Sequence, residues 1–502
     1  MKAQLICNAA FQKSRIDKRI YGSFVEHMGR VVYSGIYEPD HALADEEGFR
    51  NDVLELTRQM QVTTVRYPGG NFVSAYDWRD GVGEKSKRPH KLELAWRSIE
   101  TNQFGTNEFM SWAKKANVQP IFTVNLGTRG IENAVSLLEY CNIAGGTLYS
   151  DLRREHGVED PYGISMWCLG NEMDGPWQIG HKSAEDYAKL AAQTGRAMKA
   201  VDPSIELIVC GSSKSDMKTF PDWDLTVLDH TFEIADYISV HQYYGGQEMG
   251  TSRFLAQSVD MEKYIQTIRA AILITQQRKR SDHQVKISVD EWGVWAKAAQ
   301  EVDLEVAKNP WQIAPAISEQ IYTMEDALLF ASMLMVMVRN ADIVKIGCQA
   351  LLTNISACIM TDRGGEAWKQ TIYYPFEQLA TYGHGLLIET PVKVATYIDD
   401  QFGEIPYLDT VSIFNDDQNE VSIFAVNRNT AESIDCEITL ENFGNIDSIV
   451  HTVLCSPNCK TTNFDNHNAV VPIVDNPERN DDSHATVTLP PLSFSRISLK
   501  LS

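Results

Sequence analysis

The sequence predicts a (β/α)8 barrel followed by an antiparallel β-sandwich, and three observations carry that expectation. Between about residues 20 and 350 of the 502, short β-rich runs alternate with longer helical patterns, which implies βαβ units and a parallel sheet. Eight such runs are the number that closes a barrel, and none is followed by the Gly-rich phosphate fingerprint of a doubly wound open sheet. After about residue 380 the texture changes to short β-branched segments separated by Asn, Asp, Gly or Pro, with no long helical period between them.

The candidate strands are, in order, Ile20–Val25, Thr63–Tyr67, Pro120–Val124, Ile164–Leu169, Ile205–Cys210, Tyr237–His241, Val285–Asp290 and Ile343–Cys348. Helical stretches lie between them at Asn51–Met60, Asn107–Ala116, Ile131–Tyr140, Ala184–Val201, Met261–Gln277 and Thr323–Arg339. The last contains the longest apolar run, Ala327–Val338, too short for the ~20 residues that span a bilayer and therefore a buried core helix. Six sandwich strands follow, among them Thr410–Phe414, Glu420–Val426 and Ala485–Leu489, before a closing strand after Pro490-Pro491. The barrel is placed at 16–380 and the sandwich at 381–502, with the strand-like residues 1–15 free to join it.

With 45 basic against 67 acidic residues, the net charge is −22, which disfavours nucleic acid and anionic membranes as partners. No secretory signal is visible, and nine scattered cysteines read as reduced thiols, so the expected compartment is the cytoplasm. Cys455 and Cys459 have no second Cys or His pair at matching spacing, and no helix carries a His-Glu-x-x-His pattern. Neither a metal nor an organic cofactor is expected.

In a barrel enzyme the working groups stand at the C-terminal strand ends. Here the first strand ends in Glu26-His27, the second in Arg66-Tyr67-Pro68-Gly69-Gly70-Asn71, and the fourth in Gly170-Asn171-Glu172. The sixth ends in His241-Gln242-Tyr243-Tyr244, the seventh in Asp290-Glu291-Trp292 and the eighth in Cys348-Gln349. Glu172 and Glu291 stand out. Their separation fits three βα units of roughly 31 residues plus an insertion, for which Gly245–Gly250 is the candidate place. The fourth and seventh strands face each other across the mouth, so both carboxylates can address one ligand. Alternation along a strand predicts that Asp290 and Glu291 do not both point inward. Paired carboxylates are what glycosidic cleavage requires: one protonates the leaving oxygen, the other attacks the anomeric carbon or activates water.

The segments WCLGNEMDGPWQIGHK (167–182) and ISVDEWGVW (287–295) resemble the acid/base and nucleophile motifs of glycoside hydrolase family 51 α-L-arabinofuranosidases. RYPGGNF (66–72), YGSFVEHMGR (21–30) and SVHQYYGG (239–246) are similar to further segments of that family, in the same chain order. The resemblance implies Glu172 as general acid/base and Glu291 as nucleophile of a retaining, exo-acting enzyme on arabino-oligosaccharides. It implies Asn171 at the sugar 2-hydroxyl, Tyr243 and Arg66 beside Glu291, and Glu26, Asn71 and Gln349 on the furanose hydroxyls. It also implies a homo-oligomer, a hexamer.

Each assignment has a structural competitor. Arg66 could serve a barrel-mouth ion pair, Asn71 a turn, and His241 rim hydrogen bonding rather than proton transfer. Of Trp96, Trp177, Trp292 and Trp295, only Trp295 is put forward as a sugar platform, since an isolated Trp is usually packing. Cys168 reads as core. Many family members carry Asn after the Tyr-Tyr-Gly, where this chain has Gly246, a difference that touches substrate preference and not reaction type. The long segments Phe72–Arg97 and Trp295–Glu319 favour an exo-type pocket over the open cleft of an endo-glucanase or xylanase. The same residues would also suit a furanosidase for a different sugar, or a non-catalytic carbohydrate-binding protein.

Overall fold

A computed structural model describes residues 1–297 and 299–502. Eight parallel strands close into a barrel: β1 (Gly22–Phe24), β2 (Thr64–Tyr67), β3 (Gln119–Val124), β4 (Met166–Leu169), β5 (Glu206–Cys210), β6 (Tyr237–Tyr244), β7 (Lys286–Val294) and β8 (Val344–Gln349). Each coincides with an expected strand, because runs such as Glu206–Cys210 are β-branched, apolar and covered on both faces. All six expected helices form, Ala184–Val201 with its anticipated bounds and Ser183 capping the Asp186 amide. The helices Leu148–Glu155, Asp222–Thr231, Ala299–Lys308 and Tyr373–Tyr382 are additional; each is 10 residues or fewer, too short for a strong apolar period. The expected insertion is present as a 3-10 turn at Gln247–Met249 and a helix at Thr251–Ala256.

The sandwich pairs a four-stranded with a seven-stranded sheet. Lys2–Asn8 joins the first, lying parallel to Ile434–Glu441, and its alternating burial sends Ala3, Leu5 and Cys7 into the space between the sheets. Gln12–Arg15 joins the second beside Leu386–Ile388. The N-terminal segment therefore does complete the sandwich.

Helix Met324–Arg339 explains its own composition. It packs on β7 and β8 and also touches the sandwich strands Leu408–Asn415, Glu420–Asn427 and Ser493–Leu501. Covered on both sides, every residue from Met324 to Val338 is buried, so no polar face is needed. Thr323 caps it by accepting from the Asp326 amide. At its other end Arg339 donates to Asp409 at 2.8 Å, and Arg428 donates to the second oxygen of Asp409 at 2.7 Å. No helix among the described residues is long and apolar enough to cross a membrane, and all nine cysteines are free thiols.

Candidate active site

The site is built on strand ends rather than on loose loops. Both β6 and β7 run further than their apolar stretches suggest, so Tyr243 and Glu291 are still held in ladder pairing, with His241 opposite Glu291 and Tyr243 opposite Gly293. A loop would position them less firmly.

Glu291 receives Arg66 Nη1 at 2.8 Å on one oxygen and the Tyr243 hydroxyl at 2.9 Å on the other. The same guanidinium donates through Nη2 to Asn171 Oδ1 at 2.8 Å, and Asn171 Nδ2 faces Asn71 Oδ1 at 3.4 Å. Tyr244 turns the other way and donates to Asp260. Glu172, in a left-handed backbone conformation with φ 45°, accepts from Trp177 Nε1 at 2.7 Å and lies 3.0 Å from His241 Nδ1. One carboxylate oxygen of Glu172, one of Glu291 and a ring nitrogen of His241 lie within 4.8 Å of one another. Among the described residues this is the group whose geometry could share a metal ion. Arg66 beside it and the donors already on its oxygens disfavour a cation there.

Glu26 accepts from the Phe72 amide at 2.9 Å and from Trp96 Nε1 at 3.0 Å. Gly70 ties this corner to Glu291. A β-carbon there would sit 2.7 Å from Glu291 Oε1, 3.2 Å from Glu26 Oε2 and 3.3 Å from Asn171 Nδ2. Only glycine lets the three groups converge.

Asp290 departs from expectation. Both Asp290 and Glu291 point into the barrel: Asp290 Oδ2 lies 3.5 Å from Arg66 Nε and 3.5 Å from the Cys168 thiol, and Oδ1 lies 3.4 Å from His241 Nε2. The cause is a bulge. Between the pairs Ser239–Ser288 and His241–Glu291, β6 advances two residues and β7 three, and the register against β8 slips over the same stretch. One extra residue breaks the alternation. Cys168 is core, as expected.

Two other site residues carry more than expected. His241 is not merely a rim group, since it spans Glu172 on one nitrogen and Ser239 and Asp290 on the other. Trp177 is more than packing. Nothing in the local pattern announces either role. Trp295 stands edge-on to Tyr243 at 5.3 Å, while Trp292 is buried against Phe330. Gln349 is fully buried, its amide donating to the Ser356 carbonyl at 2.6 Å and accepting from the Cys358 thiol, so it is not linked to the carboxylate cluster.

Burial would raise Asp290, but the Arg66 guanidinium, aided by His241 and Ser239, holds it down to about 2. Burial would likewise lower His241, yet Glu291, Asp290 and Glu172 push it up to about 10. Glu291 is raised, chiefly by burial and by Glu172, against the pull of His241, Arg66 and Tyr243. Burial, with the Glu291 charge, pushes Glu26 up to about 7. Arg66 and His241 thus stand as the cationic partners of the buried Asp290 and Glu291 carboxyls.

The two long segments pair with each other. Trp311 donates its amide to the Arg97 carbonyl at 2.6 Å, and Ile99 donates to Gln312 at 2.9 Å. Beside them an open cleft of about 740 Å³ is lined by Leu94, Trp96, Trp177 and Leu304 among others.

Two family models match: the α-L-arabinofuranosidase 1 domain over residues 56–264 and the α-L-arabinofuranosidase C-terminal domain over 290–493. An intracellular exo-α-(1→5)-L-arabinofuranosidase of Halalkalibacterium halodurans is 48% identical over 499 residues, covering 99% of each chain. The chain belongs to the family 51 α-L-arabinofuranosidases. The Bacillus subtilis protein named intracellular exo-α-(1→5)-L-arabinofuranosidase 1 is also 48% identical, over 99% of each chain. Among solved structures, a family 51 α-L-arabinofuranosidase from Bifidobacterium longum superposes with a TM-score of 0.94 at 37% identity, over 99% of both chains. Membership makes this chain a glycoside hydrolase, with the barrel and strand-rich C-terminal domain of its family.

Proposed function

We propose that the chain removes terminal non-reducing α-L-arabinofuranosyl residues from arabino-oligosaccharides or arabinoxylo-oligosaccharides by double displacement with retention. The observation that carries this is the approach of Glu172 and Glu291 from opposite strands to within 4.8 Å, the short spacing that retaining glycosidases use. Arg66 and Tyr243 address Glu291 and stabilise it as the attacking carboxylate. Glu291 attacks the anomeric carbon while the proton on Glu172 passes to the leaving oxygen, which gives a covalent arabinosyl-enzyme. Glu172 then takes a proton from water as its oxygen attacks that carbon and Glu291 departs. Asn171 serves the sugar 2-hydroxyl, Glu26, Asn71 and Gln349 the remaining ring hydroxyls, and Trp295 the leaving-group side. Gln349 keeps a second N–H for this while its first holds Ser356.

The pairing of the two long loops supports exo action, since paired loops favour a pocket over an open cleft. The 1→5 linkage in the relatives' names is the first linkage to test, and those names also support a cytoplasmic location. A homo-hexamer is proposed from the family resemblance.

The deciding experiment follows nitrophenol release from 4-nitrophenyl α-L-arabinofuranoside by the native protein, Glu172→Ala and Glu291→Ala, each with and without azide. Both variants should be greatly weakened. Azide should give the α-azide with Glu172→Ala, by two inversions, and the β-azide with Glu291→Ala, by one. Turnover confined to the xyloside, galactofuranoside or glucoside counterparts would overturn the sugar assignment, and silence on every glycoside would favour carbohydrate binding without turnover.

A further inference from the structure

We propose that Trp177 is a positioning residue that holds Glu172 in its carboxylate form through the indole N–H, and that the indole must leave this oxygen when Glu172 acts as an acid. The assignment rests on Glu172 being the acid/base of the proposed double displacement.

Glu172 has to exist in two forms within one catalytic cycle. Its Oε1 faces His241 Nδ1 at 3.0 Å, and its Oε2 faces Trp177 Nε1 at 2.7 Å. With His241 protonated both partners donate, and the indole N–H can do nothing else. Its hydrogen bond is therefore stronger to a carboxylate than to a carboxylic acid, and while seated it favours the base.

The seat is built for the indole. The chain turns tightly after Glu172, with the Gly175 amide donating to the Glu172 carbonyl at 2.9 Å and the Gln178 amide donating to the Gly175 carbonyl at 3.0 Å. A β-carbon on Gly175 would lie 2.5 Å from Trp177 Cε2 and 2.8 Å from Nε1, so the ring occupies the place of the missing side chain. Lys214 Nζ lies 5.8 Å from the ring centroid on the indole face.

Trp177 is nonetheless 45% exposed and lines the cleft it shares with Trp96 and Leu304. A leaving-group oxygen that enters from this cleft to take a proton from Oε2 competes with the indole for the same oxygen. Displacing the indole releases Glu172 to act as an acid, and its return after the leaving group departs favours the base that activates water.

The other groups facing Glu172 are His241 and Tyr243 on β6, Glu291 on β7, Asp174 on its own loop, held by Ser213, and the more distant Tyr264 hydroxyl. Lys214 faces the indole. All of these remain when the indole nitrogen is removed.

The test is the pH dependence of kcat/KM on methyl α-L-arabinofuranoside, whose methanol leaving group needs a proton, for native protein, Trp177→Phe and Gly175→Ala. Phenylalanine keeps the ring and loses the donor, while alanine keeps the donor and pushes the ring off its seat. Both variants should move the alkaline limb up by about one pH unit and leave the acidic limb in place. Active variants with an unmoved alkaline limb would overturn the proposal. So would a Trp177→Phe that is folded by circular dichroism yet inert at every pH, because the residue would then be a substrate platform. A native protein inert on all arabinofuranosides would instead overturn the assignment of Glu172 as acid/base, a result distinct from an unmoved limb.

Discussion

His241 shows how much one side chain gains from its surroundings. Its ring lies between Glu172 and Glu291 on one nitrogen and Asp290 on the other, and these carboxyls outweigh the cost of burying the cation. Its folded value near 10 exceeds the ordinary 6.5, so its protonation stabilises the folded state fully below about pH 6.5. That contribution is lost as pH rises through about 10. Urea unfolding of native protein and His241→Gln should therefore show a stability difference that is largest near pH 6 and shrinks toward pH 10. A difference that grew with pH would mean the imidazole is neutral in the folded state. The sequence exposed Glu172, Glu291, Arg66 and Tyr243 because each follows a recognisable strand. It did not expose Asp290 or Trp177. Asp290 faces inward only because of a bulge, which alternation cannot foresee, and Trp177 reaches Glu172 only because Gly175 leaves room.

At the scale of elements, Met324–Arg339 ties the barrel to the sandwich, and Asp409 secures its C-terminal end. Asp409 is buried between Arg339 and Arg428, and their guanidinium groups hold its carboxyl below the ordinary range against the effect of burial. Asp409→Ala leaves the buried Arg428 guanidinium and the partly exposed Arg339 without their shared anion and should destabilise the fold by about 3 kcal/mol in urea unfolding. A depressed carboxylate stabilises the fold above its ordinary value near 4, and this contribution is lost as pH falls through its folded value. The native–variant difference should accordingly be full at pH 6 and diminish below pH 4. The apolar run Ala327–Val338 made the helix and its burial legible in advance. What it packs against was not legible, because a helix without a polar face looks the same inside one domain as between two.

At the scale of the whole molecule, the two sheets of the sandwich leave edges uncovered. The edge strand Ile473–Asp475 exposes Ile473 and Val474, each 58% accessible, an apolar edge of the kind that self-association covers. Light scattering should give a mass near six times the 56.4 kDa chain if the proposed hexamer forms, and a mass of one chain would rule it out.

The sequence by itself determined the barrel, the sandwich, the two glutamates and the family, since strand–helix alternation and the residues closing each strand are properties of neighbours along the chain. The tertiary structure decided the rest. It set the gap between Glu172 and Glu291, the inward turn of Asp290, the bridging position of His241 and the indole on Glu172. It also seated the Gln349 amide on the Ser356 carbonyl. These depend on bulges, missing side chains and the balance of buried charge, which arise only where segments distant in sequence are brought together.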